Sequence, residues 1–206
     1  MRIINRMLVV AAVAAATTSC GNVVTAGRSP VFLVMDSLTG ASSPSTTFAN
    51  TVSSDVITNV TTPAPCTPDT PCPTIFTDPG EVVLRLVPKD IGPVGTPAAP
   101  SSNNEVTVTR VHVAYTRADG HNIEGVDVPY AFDGATTGTV PASGTVSLGF
   151  LLVRSAAKSE SPLVQLKTNG IIITTIANVT FYGQDRVGND ISVTGSIQVD
   201  FGNFGN

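Results

Sequence analysis

The chain has 206 residues, of which only 13% are charged, and its formal net charge is −4. This acidic balance, without a cluster of Lys and Arg, argues against nucleic acid as a partner, because phosphates are recognised by clustered basic side chains. Thr, Ser, Val, Gly and Pro are plentiful, and no long segment has apolar residues at helical spacing. Branched side chains suit a pleated sheet and Gly and Pro suit turns, so the composition predicts an all-β fold.

The start of the chain combines a basic stretch, an apolar run and a single cysteine. Two arginines precede the uncharged run 7–16, which is shorter than the roughly 20 apolar residues that a permanent membrane helix needs. The small residues before Cys20 resemble the lipobox of bacterial lipoproteins, with Thr17 where that family most often has Leu. The resemblance implies a signal peptide over 1–19, cleaved just before Cys20, and a diacylglycerol on the Cys20 sulfur.

The lipobox resemblance assigns the mature chain to the bacterial cell envelope. Residues 20–30 are then a lipid-anchored tether, and the lipid on Cys20 makes the membrane a partner. In that family a Gly after the cysteine, here Gly21, does not signal retention in the inner membrane, so the outer membrane is preferred where the host has one. Cleavage leaves 187 residues with a formal charge of −6, enough for one large domain or two small ones.

Three cysteines are an odd number, which needs explaining in an exported protein. A lipid on Cys20 leaves Cys66 and Cys72 to pair as a disulfide in an oxidising compartment. The alternative is a metal site or a redox pair. The two cysteines do not have the C-x-x-C spacing of a redox pair. No further His or Cys lies close enough in sequence to complete a metal site. We therefore favour the structural disulfide.

Strand-like patterns recur along the chain, separated by Gly, Pro, Asn, Asp and Ser. Asp78-Pro79-Gly80 is interpreted as a turn that ends a Pro-rich loop over 61–80. The Gly- and Thr-rich stretch after residue 132 is interpreted as a loop, and 156–166 as a short helical turn limited by Pro162. The predicted strands are, in chain order, 31–38, 48–60, 81–87, 106–115, 126–132, 146–152, 171–182 and 191–201.

The alternation of apolar residues changes phase within the strand 106–115. Val106 and Val108 lie on one face, whereas Val111 and Val113 lie on the opposite one. Because a slip of one residue reverses every side chain, we expect a bulge or a crossing between sheets at Thr109–Arg110.

The last two strands form the clearest structural signal, a long antiparallel hairpin over 177–201 with a turn at 185–189. Residues 177–185 and 188–197 resemble the final hairpin of bacterial immunoglobulin-like and fibronectin-III-like surface modules, and 108–120 resembles a middle strand of that class. The resemblance implies one immunoglobulin-like antiparallel β-sandwich over 31–206, with inserted loops because such domains usually have about 100 residues. The whole sequence also resembles uncharacterised bacterial lipoproteins.

The turn of that hairpin is the candidate metal site. Asp185, Asn189 and Asp190 supply side-chain oxygens of the kind that calcium prefers. Gly, Asn and Asp also have turn-forming reasons to be there, and their order matches no complete calcium loop. A plain turn is the favoured interpretation, with no cofactor, and calcium is the alternative.

Candidate catalytic groups are scattered. Neither a Gly-x-Ser-x-Gly motif nor an H-E-x-x-H motif occurs. Glu124 with Asp127, or Asp78 with Glu81, would be the carboxylate pairs of a glycosidase, but exposed acids on loops explain them equally well. No catalytic residue is therefore assigned.

Aromatic platforms for carbohydrate are limited to three tyrosines, Tyr115, Tyr130 and Tyr182. Tyr115 shares its face with Val111 and Val113, which places it in the core.

These patterns predict a non-catalytic, lipid-anchored envelope protein that acts as a structural or protein-binding module, with a protein partner in the envelope. The alternatives are an envelope hydrolase whose site is assembled from dispersed residues, or a lipoprotein that binds calcium or another small ligand.

Replacing Cys20 with Ala removes the sulfur that would carry the lipid. We expect the variant to move from the membrane fraction to the soluble fraction of the host envelope, as measured by fractionation and immunoblotting. Retention of Cys20→Ala in membranes would contradict the lipid anchor.

Overall fold

The computed structural model describes residues 27–96 and 98–205. The predicted signal peptide 1–19 and the lipidation site Cys20 lie outside the described residues. Within the described part, no helix combines the length and apolar character that a membrane crossing demands.

The described chain is built from ten strands and three short 3₁₀ helices. The helices span Ser102–Asn104, Ala157–Ser159 and Leu163–Thr168. The strands are β1 (Val31–Gly40), β2 (Thr51–Asp55), β3 (Thr58–Val60), β4 (Cys72–Thr74), β5 (Asp78–Pro88), β6 (Val106–Thr116), β7 (Phe132–Val140), β8 (Thr145–Val153), β9 (Ile173–Asp185) and β10 (Asp190–Gly202).

The strands form two principal sheets and one small hairpin. The three-stranded sheet has the order β1-β5-β8 and is antiparallel throughout. The five-stranded sheet has the order β2-β10-β9-β6-β7, and its strands are antiparallel except that β2 runs parallel to β10. Strands β3 and β4 pair by themselves. The prediction of an all-β fold is confirmed.

The two sheets face each other across one apolar core. Val82 and Leu84 of β5 enter it from the three-stranded sheet, and Val179 of β9 enters it from the five-stranded sheet. Phe150 of β8 meets Phe181 of β9 edge to face, with ring centroids 5.2 Å apart. Full burial of such side chains stabilises the fold by about 1.5–3 kcal/mol each, so alternation along the strands drives the two layers together.

Tyr115 belongs to this core, as its alternation predicts. Its ring packs edge to face on Phe201, with centroids 5.6 Å apart, and its hydroxyl donates a 2.6 Å hydrogen bond to the carbonyl of Leu152. A buried phenol needs such an acceptor, because an unpaired hydroxyl in the core is costly.

Two predicted loops are strands. Asp78-Pro79-Gly80 begins β5 instead of forming a turn, because these residues pair with β8. The ring of Phe150 lies over Gly80 and leaves no room for a side chain there. The Gly- and Thr-rich stretch after residue 132 is β7, which pairs along β6. At Gly138, an added Cβ would lie 2.2 Å from a methyl carbon of Leu148. The absence of a side chain at Gly138 therefore leaves space for the Leu148 side chain of β8.

Two predicted strands are also corrected. Residues 126–131 form part of a loop, and only Phe132 of the predicted strand 126–132 lies in a strand. The predicted strand 48–60 is divided into β2 and β3, which pair with different partners. The division follows Asp55, whose carboxylate accepts a hydrogen bond from the Thr58 hydroxyl and so turns the chain.

The predicted bulge is present in β6. The register of β6 shifts between Val108 and Arg110 against both neighbouring strands. Thr109 is the extra residue against β9, whereas Thr136 and Thr137 of β7 both lie opposite Thr109. Gly183 of β9 lies opposite this bulge, and a Cβ built on it would lie 2.5 Å from the backbone oxygen of Thr107. The bulge therefore requires a glycine on the neighbouring strand.

We expect Gly183→Ala to destabilise the protein by about 1–3 kcal/mol, because the added methyl must displace backbone atoms. The matched control is Gly149→Ala in β8, where an added Cβ meets nothing within 4 Å. That control should change the free energy of unfolding by no more than about 0.5 kcal/mol. Urea unfolding of the two variants measures the difference, and equal stabilities would contradict the close approach at Gly183.

Candidate functional site

A groove of about 540 Å³ lies on the surface beside the five-stranded sheet. Segment 27–33 forms one wall, and residues of β9 and β10 form much of the other. The lining residues are Gly27, Ser29, Val31, Phe32, Leu33, Lys89, Arg110, Tyr182, Gly183, Asp190, Ile191 and Ser192. We call this site the cationic groove.

Two aromatic rings in the cationic groove are each covered by a basic side chain. Lys89 Nζ lies 5.2 Å from the ring centroid of Phe32, which is 54% exposed. The guanidinium carbon of Arg110 lies 4.0 Å from the ring centroid of Tyr182. Cation–π contacts of this kind hold the charges at fixed positions on the surface.

Both cations are also held by polar contacts. Lys89 Nζ donates a 2.9 Å hydrogen bond to the carbonyl of Gly27, and an Arg110 Nη atom lies 3.0 Å from Asp133 Oδ1. His112 Nδ1 lies 3.3 Å from the same oxygen. This places the histidine on the outer face of the sheet, beside an acid and an arginine. The groove thus presents basic groups whose geometry is set before a ligand arrives.

The three tyrosines proposed as carbohydrate platforms have different environments. Tyr115 is buried, and one face of Tyr182 is covered by Arg110. Tyr130 is 49% exposed and packs near Gly125, whose φ is +74°. The structure therefore does not bring these rings together as one platform.

Asp185 organises the hairpin turn that was the candidate calcium site. Its Oδ1 accepts hydrogen bonds from the backbone N–H groups of Val187 and Asn189, at 3.1 and 2.8 Å. Its Oδ2 accepts a 2.8 Å hydrogen bond from the Asn189 side-chain amide. Burial acts to raise the pKa of Asp185, but the hydrogen bonds outweigh it and the pKa is lowered.

The other candidate calcium ligands are directed elsewhere. Asn189 presents its N–H₂ group to Asp185, and Asp190 Oδ1 accepts a 2.8 Å hydrogen bond from Gln184. Among the described residues, no group of three or more His, Cys, Asp or Glu is arranged to hold a metal ion. Hydrogen bonding in the turn accounts for all three residues.

The candidate glycosidase carboxylates also make structural contacts. Asp127 accepts a 3.0 Å hydrogen bond from the backbone of Ile123, and Glu124 accepts one from Ala131 at 3.4 Å. These hydrogen bonds stabilise the loop formed by residues 117–131. Asp78 is fully buried, unlike the half-buried Glu81.

The predicted disulfide is present. Cys66 and Cys72 are bonded, with their Cα atoms 5.3 Å apart. Within the ring they close, the backbones of Thr67 and Thr70 exchange two 3.1 Å hydrogen bonds. The bond fixes the loop that leads into β4.

A buried ion pair is the polar feature that the sequence did not reveal. Lys158 Nζ lies 2.8 Å from Asp78 Oδ2, and neither side chain has any solvent exposure. The Ser54 hydroxyl donates a 2.6 Å hydrogen bond to Oδ2, and the Ser43 backbone N–H donates one of 3.0 Å to Oδ1. Burial raises the pKa of Asp78, although the positive charge of Lys158 opposes the shift.

Together these features define an all-β protein with a disulfide-closed loop, a cationic groove and a polar pair inside its core. No family model, curated protein or solved structure matches the chain.

We expect Asp185→Ala to destabilise the protein by about 1–2 kcal/mol, because it leaves two backbone N–H groups of the turn without their acceptor. The lowered pKa gives this contribution a pH dependence. It is fully present above the unfolded-state pKa of the carboxyl and is lost as the pH falls through the lower folded-state pKa. Urea unfolding at several pH values measures it, with the exposed Asp69→Ala as the control.

The same variant tests the calcium alternative. If the turn serves only as a turn, calcium leaves the melting temperature of the wild-type protein unchanged. A calcium-dependent rise that is absent from Asp185→Ala would instead support a metal site.

Proposed function

We propose that the protein is a non-catalytic, lipid-anchored module of the bacterial envelope that binds a protein partner through the cationic groove. Its fold would be an immunoglobulin-like β-sandwich with inserted loops, and its anchor would be the lipid on Cys20. The lipobox-like start of the chain, the all-β fold and the two facing sheets support this proposal.

The observation that carries the binding role is the pair of aromatic rings beneath Lys89 and Arg110. Each pair offers an apolar surface next to a positive charge, in a protein whose net charge is negative. A peptide segment with carboxylates and apolar side chains complements both properties. An extended segment of a partner protein fits an open groove of this size.

The proposed anchor limits where that partner lies. Gly27, which lines the groove, is seven positions after Cys20. A fully extended chain spans at most about 3.3–3.6 Å per residue, so the wall at Gly27 would lie within about 25 Å of the lipid attachment point. A partner that is itself in or on the membrane fits this distance best.

The alternative of an envelope hydrolase receives less support from the same contacts. Of the acids paired as catalytic candidates, Glu124 and Asp127 accept hydrogen bonds within a loop, and Asp78 forms an ion pair. His112 has an acid beside it, but the nearby Thr180 hydroxyl forms a hydrogen bond with Thr194. A binding role, by contrast, requires only contacts at the surface and no reaction of these acidic, histidine or hydroxyl side chains.

The test is site-specific photo-crosslinking of the full chain in the host envelope. A photoreactive residue at Ser192, within the groove, should capture one partner reproducibly. The control is the same residue at Thr139, an exposed position on β7 outside the groove. Mass spectrometry identifies the captured protein, and identical products from both positions would contradict the proposal.

Two substitutions link the capture to the groove chemistry. Phe32→Ala and Arg110→Ala should each reduce the crosslinked product at least tenfold, since each removes part of an aromatic–cation pair. Tyr130→Ala removes an exposed aromatic ring outside the groove and should leave the product unchanged. The melting temperature of each variant confirms that it is folded. Undiminished capture by both groove variants would overturn the assignment.

A further inference from the structure

The buried contact between Lys158 and Asp78 joins two parts of the chain that are distant in sequence. Asp78 is the first residue of β5, the central strand of the three-stranded sheet, and Lys158 lies in the 3₁₀ helix Ala157–Ser159. Nζ lies 2.8 Å from Oδ2, and neither side chain has any solvent exposure. A buried amine is therefore in direct contact with a buried carboxyl group.

Burial makes the charged form of this pair expensive. Removing an ammonium and a carboxylate from water costs several kcal/mol per ion, and their mutual attraction repays the cost only where other hydrogen bonds complete the site. The Ser54 hydroxyl and the Ser43 backbone N–H serve the carboxyl group. Lys158 Nζ, by contrast, has no polar partner other than Asp78 among the described residues.

The reactive form of such a pair is a neutral amine beside a neutral carboxylic acid. Burial raises the pKa of Asp78 and so favours the acid form of its carboxyl group. A neutral amine is a nucleophile, and a neutral carboxylic acid is its electrophile. Fixed groups at such a distance also gain a large effective concentration, equivalent to about 10⁵–10⁸ M in well-oriented intramolecular reactions.

We propose that Lys158 and Asp78 condense to form an intramolecular isopeptide bond. The lone pair of Nζ attacks Cγ of Asp78, a C–N bond forms and the C–Oδ2 bond breaks. Oδ2 leaves as water, taking the acid proton and one proton from the amine. No oxidant, reductant or co-reactant is needed, because one amine and one acid give one amide and one water.

The neighbouring polar groups are arranged to assist this reaction. The Ser43 backbone N–H, 3.0 Å from Oδ1, stabilises the negative charge that develops on that oxygen when Nζ attacks. The Ser54 hydroxyl, 2.6 Å from Oδ2, relays a proton to the departing oxygen. These residues position and polarise the carboxyl group, and the product amide leaves no buried charge on either side chain.

The bond would link the segment between β8 and β9 to the central strand of the three-stranded sheet. It would act as a crosslink that survives denaturation, unlike the ion pair. This inference is independent of the proposed binding function, because the cationic groove contains neither residue.

Peptide mapping of the full-length protein, isolated from its host envelope and then reduced, tests the proposal directly. The expected result is a branched peptide containing Asp78 and Lys158, with a mass lower than the sum of the two separate peptides by one water. This readout is unaffected by any lipid at the start of the chain or by the reduced cysteines. Recovery of the two peptides only as separate, unmodified species would overturn the proposal.

Lys158→Met and Lys167→Met form a matched pair of variants. Lys158→Met removes the nucleophile but keeps an unbranched side chain, and it should yield Asp78 only in its linear peptide. Lys167→Met changes a lysine in the next 3₁₀ helix and should retain the branched peptide. If Lys158→Met fails to fold, the mass of the wild-type branched peptide still decides the question, because its fragment ions identify both linked residues.

Discussion

Burial of apolar side chains between the two sheets is the constraint on which the other features depend. Strands from distant parts of the chain contribute to one core, and the edge-to-face contact of Phe150 with Phe181 bridges the layers. Small residues appear where this packing leaves no space, as at Gly80 beneath Phe150 and Gly183 beside the β6 bulge. Packing therefore explains several glycines whose local sequence suggests turns or loops.

The same core imposes a cost on any polar group that enters it. The hydroxyl of Tyr115 offsets that cost by donating a hydrogen bond to a backbone carbonyl. Asp78 and Lys158 offset it only in part, since two further donors serve the carboxyl group while the amine has Asp78 alone among the described residues. Removal of the two charges would relieve the desolvation cost of the pair. The proposed isopeptide bond follows from this imbalance and from the short distance between the two groups.

On the surface, by contrast, charged side chains are held in place by neighbouring groups. Arg110 is fixed between Tyr182 and Asp133, and Lys89 between Phe32 and the carbonyl of Gly27. An exposed ion pair such as Arg110–Asp133 contributes little to stability, about 0–1 kcal/mol. The effect of these contacts is to order two basic groups beside one groove, which suits recognition of a partner more than stabilisation of the fold.

The sequence by itself determined the all-β class, the long β9–β10 hairpin, the bulge in β6 and the core position of Tyr115, because each follows from period-two alternation over neighbouring residues. It also indicated the Cys66–Cys72 disulfide through the odd cysteine count. Only the tertiary structure decided that the Gly- and Thr-rich stretch is β7, that Asp78 meets Lys158, and that Phe32 and Tyr182 line one groove. These features depend on contacts between residues far apart in the chain, and local periodicity carries no information about which distant strands become neighbours.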